Sequence, residues 1–201
     1  LSPAFHDLPA LDRAAGRAQL GFGPQRPVGL VLFGGEGSRA MLPIARQLPD
    51  TPLILACGRN AALARALRAL PARAPRLVLD FTRDMPHYMR LADFFIGKPG
   101  SGSLSEAVQM GLPPIVTRNS WTMPQERYVT DWVRDNGLGL VLPSFARVAE
   151  AVQALQAELP RFQAAVARQR NQAAFEVPAV LARILAQAQQ RPQPEPWRQA
   201  A

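Results

Sequence analysis

The sequence predicts an α/β fold: a six-stranded parallel sheet with helices on both faces and extra helices at the C-terminal end. Three observations lead there. Short apolar, β-branched runs alternate with helix-period segments five times before a sixth run closes the series. The runs show little polar alternation, which suits strands buried on both faces. Of the 201 residues, 48% are hydrophobic and 19% charged, enough apolar material for a sizeable core.

Residues 1–26 form a proline-broken lead-in with one short helix near 11–19. Strands are expected at 28–33, 53–56, 77–81, 94–97, 115–117 and 139–142. Helices at 39–48, 61–70, 87–91, 103–110 and 125–136 connect them by right-handed crossovers. Past residue 143 come Ala/Gln/Arg-rich helices at 144–159, 161–174 and 177–190. The tail 191–201, "RPQPEPWRQAA", holds too many prolines to pack and is expected to be disordered. The chain carries no internal repeat.

The formal net charge is +8, and Lys98 is the only lysine among the cations. The arginines are scattered, without interleaved aromatics, so no nucleic-acid partner is expected. Basic surfaces also meet phosphates or anionic membranes. The arginines of the C-terminal helices, Arg161, Arg168, Arg170 and Arg183, could give peripheral membrane contact or simply form a solvated face. A single cysteine, Cys57, excludes an internal disulfide and fits a reducing compartment. No apolar run approaches the roughly 20 residues of a membrane span, and "LSPAFHDLPALDR" lacks the order of a signal peptide. A cytoplasmic location follows as the expectation. The chain also lacks an initiating methionine, which suggests an excised portion of a longer protein.

In an open parallel sheet, ligands bind beyond the carboxyl ends of the strands, and four loops there could carry chemistry. In "FGGEGSRAM", Gly34 and Gly35 end a strand and Ser38 is expected to open a helix whose free N–H groups would suit an anion. Gly35, Gly37 and Ala40 satisfy a relaxed G-x-G-x-x-A dinucleotide pattern, but Cys57, Gly58 and Arg59 stand where that pattern wants an acid. Arg59 could suit a phosphorylated ribose, which keeps a nicotinamide reading open. In "DFTRDMPHYM", Phe81 and Met85 offer a flat apolar surface, and peptide groups around Thr82 could read a base edge. Asp84 before Met85-Pro86 reads as a helix cap.

The third loop is "GKPGSGSLSEAVQMG". Ser103 and Glu106 have the spacing of a capping box, each satisfying the other's backbone donor. Alternatively, Gly100, Ser101, Gly102 and Ser103 form an anion cradle at a helix N-terminus, and Glu106 accepts hydrogen bonds from a vicinal diol such as a ribose. In the fourth loop, "RNSWTMPQERYVTD", Gln125 and Glu126 could read sugar hydroxyls or form an ordinary solvated helix start.

Taken in order, the Gly-Gly-x-Gly loop, "F-x-x-D-M", "GKPGSGSLSEAVQMGLP" and "QE" resemble the C-terminal donor-binding domain of GT-B glycosyltransferases. The branch is that of the monogalactosyldiacylglycerol synthases and the peptidoglycan lipid N-acetylglucosaminyltransferase. The resemblance covers roughly residues 27–143 and implies a Rossmann-like domain over 27–190, with 1–26 leading in from a missing N-terminal acceptor domain. It implies a UDP-sugar as donor substrate, with no other cofactor and no metal. Phe81, Thr82 and Met85 would border the uracil, Glu106 the ribose, and Gly35, Gly100, Ser101, Gly102 and Ser103 the diphosphate. Gln125 and Glu126 would meet the sugar, while Lys98 either adds charge near the diphosphate or only covers the strand end.

The implied reaction is inverting transfer of a hexose or N-acetylhexosamine to a lipid or cell-envelope glycan at the inner face of the cytoplasmic membrane. The general base is expected from the acceptor domain, so no catalytic residue is assigned here, and the chain alone is expected to be inactive. His6 and His87 are poorly placed to substitute. Two alternatives stand beside this reading: a sugar-nucleotide epimerase of the same fold, and a non-catalytic nucleotide-sugar-binding module.

Overall fold

A computed structural model describes residues 1–169 and 171–189. The tail expected at 191–201, Arg170 and the end of the helix expected at 177–190 lie outside the described residues. The strands are β1 Gly29–Leu32, β2 Leu53–Ala56, β3 Arg76–Leu79, β4 Phe94–Gly97, β5 Pro114–Thr117 and β6 Leu140–Leu142. All pairings are parallel, in the order β3-β2-β1-β4-β5-β6. This is the doubly wound Rossmann order, in which the chain reverses direction across the sheet between β1 and β4.

The helices are α1 Arg13–Gln19, α2 Met41–Gln47, α3 Ala61–Arg68, α4 Met85–Leu91, α5 Ser101–Gln109, α6 Pro124–Asp135, α7 Val148–Ala157, α8 Leu159–Ala167 and α9 Ala173–Gln189. Period-two alternation of the strands divides the core in two. Leu30, Leu32, Ile54, Ala56 and Phe95 point to one face, where they meet Met89, Leu91, Leu104 and Ala107. Val31, Leu53, Leu55, Phe94 and Ile96 point to the other, against Met41, Ile44, Leu63 and Val152. Strands β1, β2 and β4 are buried throughout and β5 is buried up to Thr117, whereas edge strands β3 and β6 are half-buried.

Helix boundaries differ from the sequence expectation in instructive places. The helix expected over 161–174 stops at Ala167, and α9 begins at Ala173, where Asn171 Oδ1 accepts a hydrogen bond from Ala173 N at 3.1 Å. A short polar side chain that bonds the backbone competes with helix continuation, and the Ala/Gln composition around it hides the break. The helix expected from residue 39 starts at Met41, because Ser38 Oγ holds Ala40 N at 3.2 Å in a turn. The expected helix at 144–159 opens as a 3₁₀ turn, Phe145–Arg147.

The lead-in packs onto the domain. Phe5 and Phe22 are buried in the core, and α1 lies along α4. Its anchor is Asp93, 7% exposed, at the entry to β4. The Asp93 carboxylate accepts from Arg13 Nη2 at 2.7 Å, from Val28 N at 2.7 Å and from Arg17 Nη2. Arg17 is itself buried and also donates to Leu91 O at 2.9 Å. Removing one partner of a buried ion pair leaves the other charge uncompensated. Asp93→Ala is therefore expected to lose about 3 kcal/mol of unfolding free energy. Urea denaturation should show this as a lower midpoint at unchanged m-value.

Candidate functional site

The carboxyl ends of β1, β2, β3 and β4 open on a cleft of about 360 Å³. It lies where the strand order reverses, the position at which doubly wound sheets bind ligands. Its lining joins Gly34 and Gly35 after β1, Gly58 after β2, Phe81, Thr82 and Met85 after β3, and Gly102, Ser103 and Glu106 of α5.

The floor is tightly held. Gly58 takes φ +60°, and a Cβ there would stand 1.9 Å from Gly35 O, so only glycine lets the two loops touch. Arg59 N then donates to Gly35 O at 2.8 Å, and Asn60 Nδ2 to Glu36 O at 3.4 Å. Glu36 points outward and pairs loosely with Arg59 at 3.5 Å, which keeps its carboxylate off the cleft. After β3 the chain bends, and Thr82 Oγ1 accepts from Asp84 N at 3.0 Å. Asp84 stands at the N-cap of α4, yet its side chain makes no capping bond, contrary to the cap expected for it.

The capping box expected from Ser103 and Glu106 does not form. Helix α5 starts two residues earlier than its apolar pattern suggests, with Gly100 at the N-cap and no side-chain cap. The bond from Leu104 N to Gly100 O, 3.1 Å, is the first that the helix geometry permits. The amides of Ser101, Gly102 and Ser103 precede it and have no helical acceptor. Positions 102, 103 and 106 share one helix face, which is why Gly102, Ser103 and Glu106 line the cleft together. Burial pushes the Glu106 carboxyl above its ordinary value of 4.5. The positive end of the helix and a partly buried carboxylate thus face the same space.

The remaining predicted residues fall outside this lining. Lys98 Nζ stands 3.8 Å from Glu126 Oε1, and a Cβ on Gly100 would lie 3.1 Å from Lys98 Cε and 3.7 Å from Glu126 Oε1. Lys98, Gly100 and Glu126 therefore form a group of their own at the start of α5. Glu126 is mostly covered there, with its side chain 16% exposed. Ser101 and Gln125 are exposed, and the Gln125 amide contacts Met123 Sδ at 3.6 Å. His87 lies on α4 beside Tyr88, and His6 meets Phe175 and Gln109; neither lines the cleft. Leu32, Ala56, Gly58 and Asp80 also line the cleft without having been expected to bind there, and Gly34, expected only in the first candidate loop, joins them. Gly34 and Gly58 were legible as glycines ending apolar runs. Asp80 carried no such signal, and it pairs with Arg68 at 2.8 Å. Among the described residues, no group of three or more His, Cys, Asp or Glu is gathered to hold a metal ion, and no helix is long and apolar enough to cross a membrane.

No family model matches the chain. Whole-sequence comparison does find relatives. A probable monogalactosyldiacylglycerol synthase 3, chloroplastic, of Oryza sativa is 33% identical over 147 residues, 68% of this chain and 28% of that protein. The chloroplastic monogalactosyldiacylglycerol synthase of Spinacia oleracea is 32% identical over 147 residues with the same coverage. The homologues found for this chain are monogalactosyldiacylglycerol synthases. The chain spans 28% of the length of these synthases.

Solved glycosyltransferases share the fold of this chain. Acinetobacter baumannii MurG superposes with a TM-score of 0.65 at 18% identity, over 89% of this chain and 58% of that one. WaaG, a glycosyltransferase involved in lipopolysaccharide biosynthesis, gives 0.59 at 21% identity, over 83% and 48%. Anabaena HepE, solved in complex with UDP-glucose, gives 0.61 at 16% identity, over 83% and 48%. The Rossmann-like sheet thus has the fold of part of each of these glycosyltransferases.

Because Glu106 holds its proton more tightly folded than unfolded, the native state binds more protons just above pH 4.5. Stability contributed by the protonated form is complete below that pH and is lost as pH rises through the raised folded value. Glu106→Gln should therefore melt higher than the parent at neutral pH, with the gap closing below pH about 4. Calorimetric melting across pH checks this.

Proposed function

We propose that this chain is the donor-binding half of an inverting glycosyltransferase that moves a hexose or N-acetylhexosamine from a UDP-sugar to a lipid or envelope-glycan acceptor. The observation that carries the reading is the convergence, in one switch-point cleft, of a flat apolar wall, an uncapped helix start and the partly buried acid Glu106. The synthase relatives and the glycosyltransferase fold support it.

In this reading the uracil lies against Phe81 and Met85, with its edge at the Thr82 peptide. Glu106 accepts hydrogen bonds from the two ribose hydroxyls, which a carboxylate with two oxygens suits. The diphosphate rests on the amides of Ser101, Gly102 and Ser103 beside Gly35, with Lys98 adding charge. The sugar extends toward Glu126 and Gln125. The acceptor oxygen attacks the anomeric carbon opposite the diphosphate, the bond to UDP breaks, and the electron pair leaves on the phosphate oxygen. Fixed amide dipoles meet that growing charge without reorganising. The acceptor's proton goes to a base in the acceptor-binding part of the protein. Neither histidine of this chain lines the cleft, so the epimerase alternative gains no support.

Hydrogen bonds to a charged group contribute enough that removing the acid should weaken UDP binding about 10- to 100-fold. Calorimetric titration of Glu106→Ala with UDP checks this. A variant that stays folded and binds UDP as tightly as the parent would refute the ribose assignment.

A further inference from the structure

Phe81 is an exposed wall of the cleft. It sits in an irregular bend and its surface is 48% exposed. Where a wall side chain is this exposed, a ligand that needs one ring orientation bears the cost of ordering it. One contact opposes this. The Arg59 guanidinium lies over the Phe81 ring, 4.4 Å from its centroid.

Arg59, unlike Phe81, has a clamped backbone. Its own N–H is bonded to Gly35 O at 2.8 Å. The residue before it, Gly58, is pressed against the same carbonyl. The residue after it, Asn60, accepts from Leu63 N at 2.9 Å and so caps α3. Glu36 Oε1, 3.5 Å from Arg59 Nη1, pairs loosely with the same guanidinium. The side chain thus reaches from the hydrogen-bonded loop after β2 to the bend after β3, and places a planar cation on a π face.

We propose that Arg59 is a positioning residue that fixes the Phe81 ring as the wall for the nucleobase. This rests on the UDP-sugar reading of the cleft. In this role Arg59 acts through Phe81, so its effect follows the base and ribose. Lysine cannot replace it fully, because a compact ammonium does not stack as a plane.

The test is a double-mutant cycle on this chain, by calorimetric titration with UDP and with UMP and by thermal melting. Arg59→Ala should weaken UDP and UMP by the same factor, about three- to fivefold, with the melting temperature held. Arg59→Lys should fall between that variant and the parent. Phe81→Ala should also weaken binding, and adding Arg59→Ala to it should weaken it no further. Losses that multiply in the double variant, a loss seen with UDP but not UMP, or unchanged affinity in Arg59→Ala would each overturn the proposal while leaving the UDP reading intact. A parent chain that takes up neither nucleotide would overturn both.

Discussion

The shared register of three parallel strands is the constraint on which this molecule rests. Gly29 pairs with both Leu53 and Phe94, so Leu32 stands level with Ala56 on one side and Gly97 on the other. All three strands therefore end together, and their loops emerge at one edge. The next connection from β1 runs to β2 and that from β4 to β5, in opposite directions across the sheet. The helices diverge, and the cleft is the gap they leave. A one-residue slip of β4 would turn Phe94 and Phe95 to the wrong faces and shift the start of α5. The buried Asp93 cluster, just before β4, ties the lead-in helix and the entry to β1 to that same register.

Within the cleft, charge is arranged along a gradient. The helix start contributes free amides and no carboxylate in its first turn. Lys98 stands nearby, partly offset by Glu126. Glu106 lies one turn deeper, where burial disfavours its ionised form. At the far end Asp80 is balanced by Arg68, and Glu36 is turned outward onto Arg59. The negative groups are thus paired or withdrawn wherever a phosphate would come close, and the unpaired acid stands where neutral hydroxyls would. That distribution accords with a nucleotide laid from the β3 loop to the start of α5.

Much of this was legible from residues alone. Alternation of short apolar runs with helical segments gave six strands in the right places, because two-sided burial leaves a plain compositional mark on runs such as "LILA" and "FFIG". Glycine at strand ends pointed to close backbone approach, and Gly35 and Gly102 do line the cleft. The helix start at Ser101 was not legible, since Gly-Ser-Gly-Ser reads as a loop and the Ser-x-x-Glu spacing imitates a cap. Its helical state is set by the end of β4 and by packing of Leu104 and Ala107 on the sheet, which are tertiary facts. The contact of Arg59 with Phe81 was equally hidden. It joins residues 22 positions apart, since 81 − 59 = 22, through loops whose geometry no local pattern records.

The proposed binding mode sets phosphate on the first turn of α5 and the ribose on Glu106. A crystal structure of this chain with UDP tests it directly. It should show diphosphate oxygens within hydrogen-bond reach of the Ser101, Gly102 and Ser103 amides, and both ribose hydroxyls on the Glu106 carboxylate. UDP seated instead in the amide-lined cavity of about 290 Å³ between Gln109, Trp132 and Gln172 would contradict it.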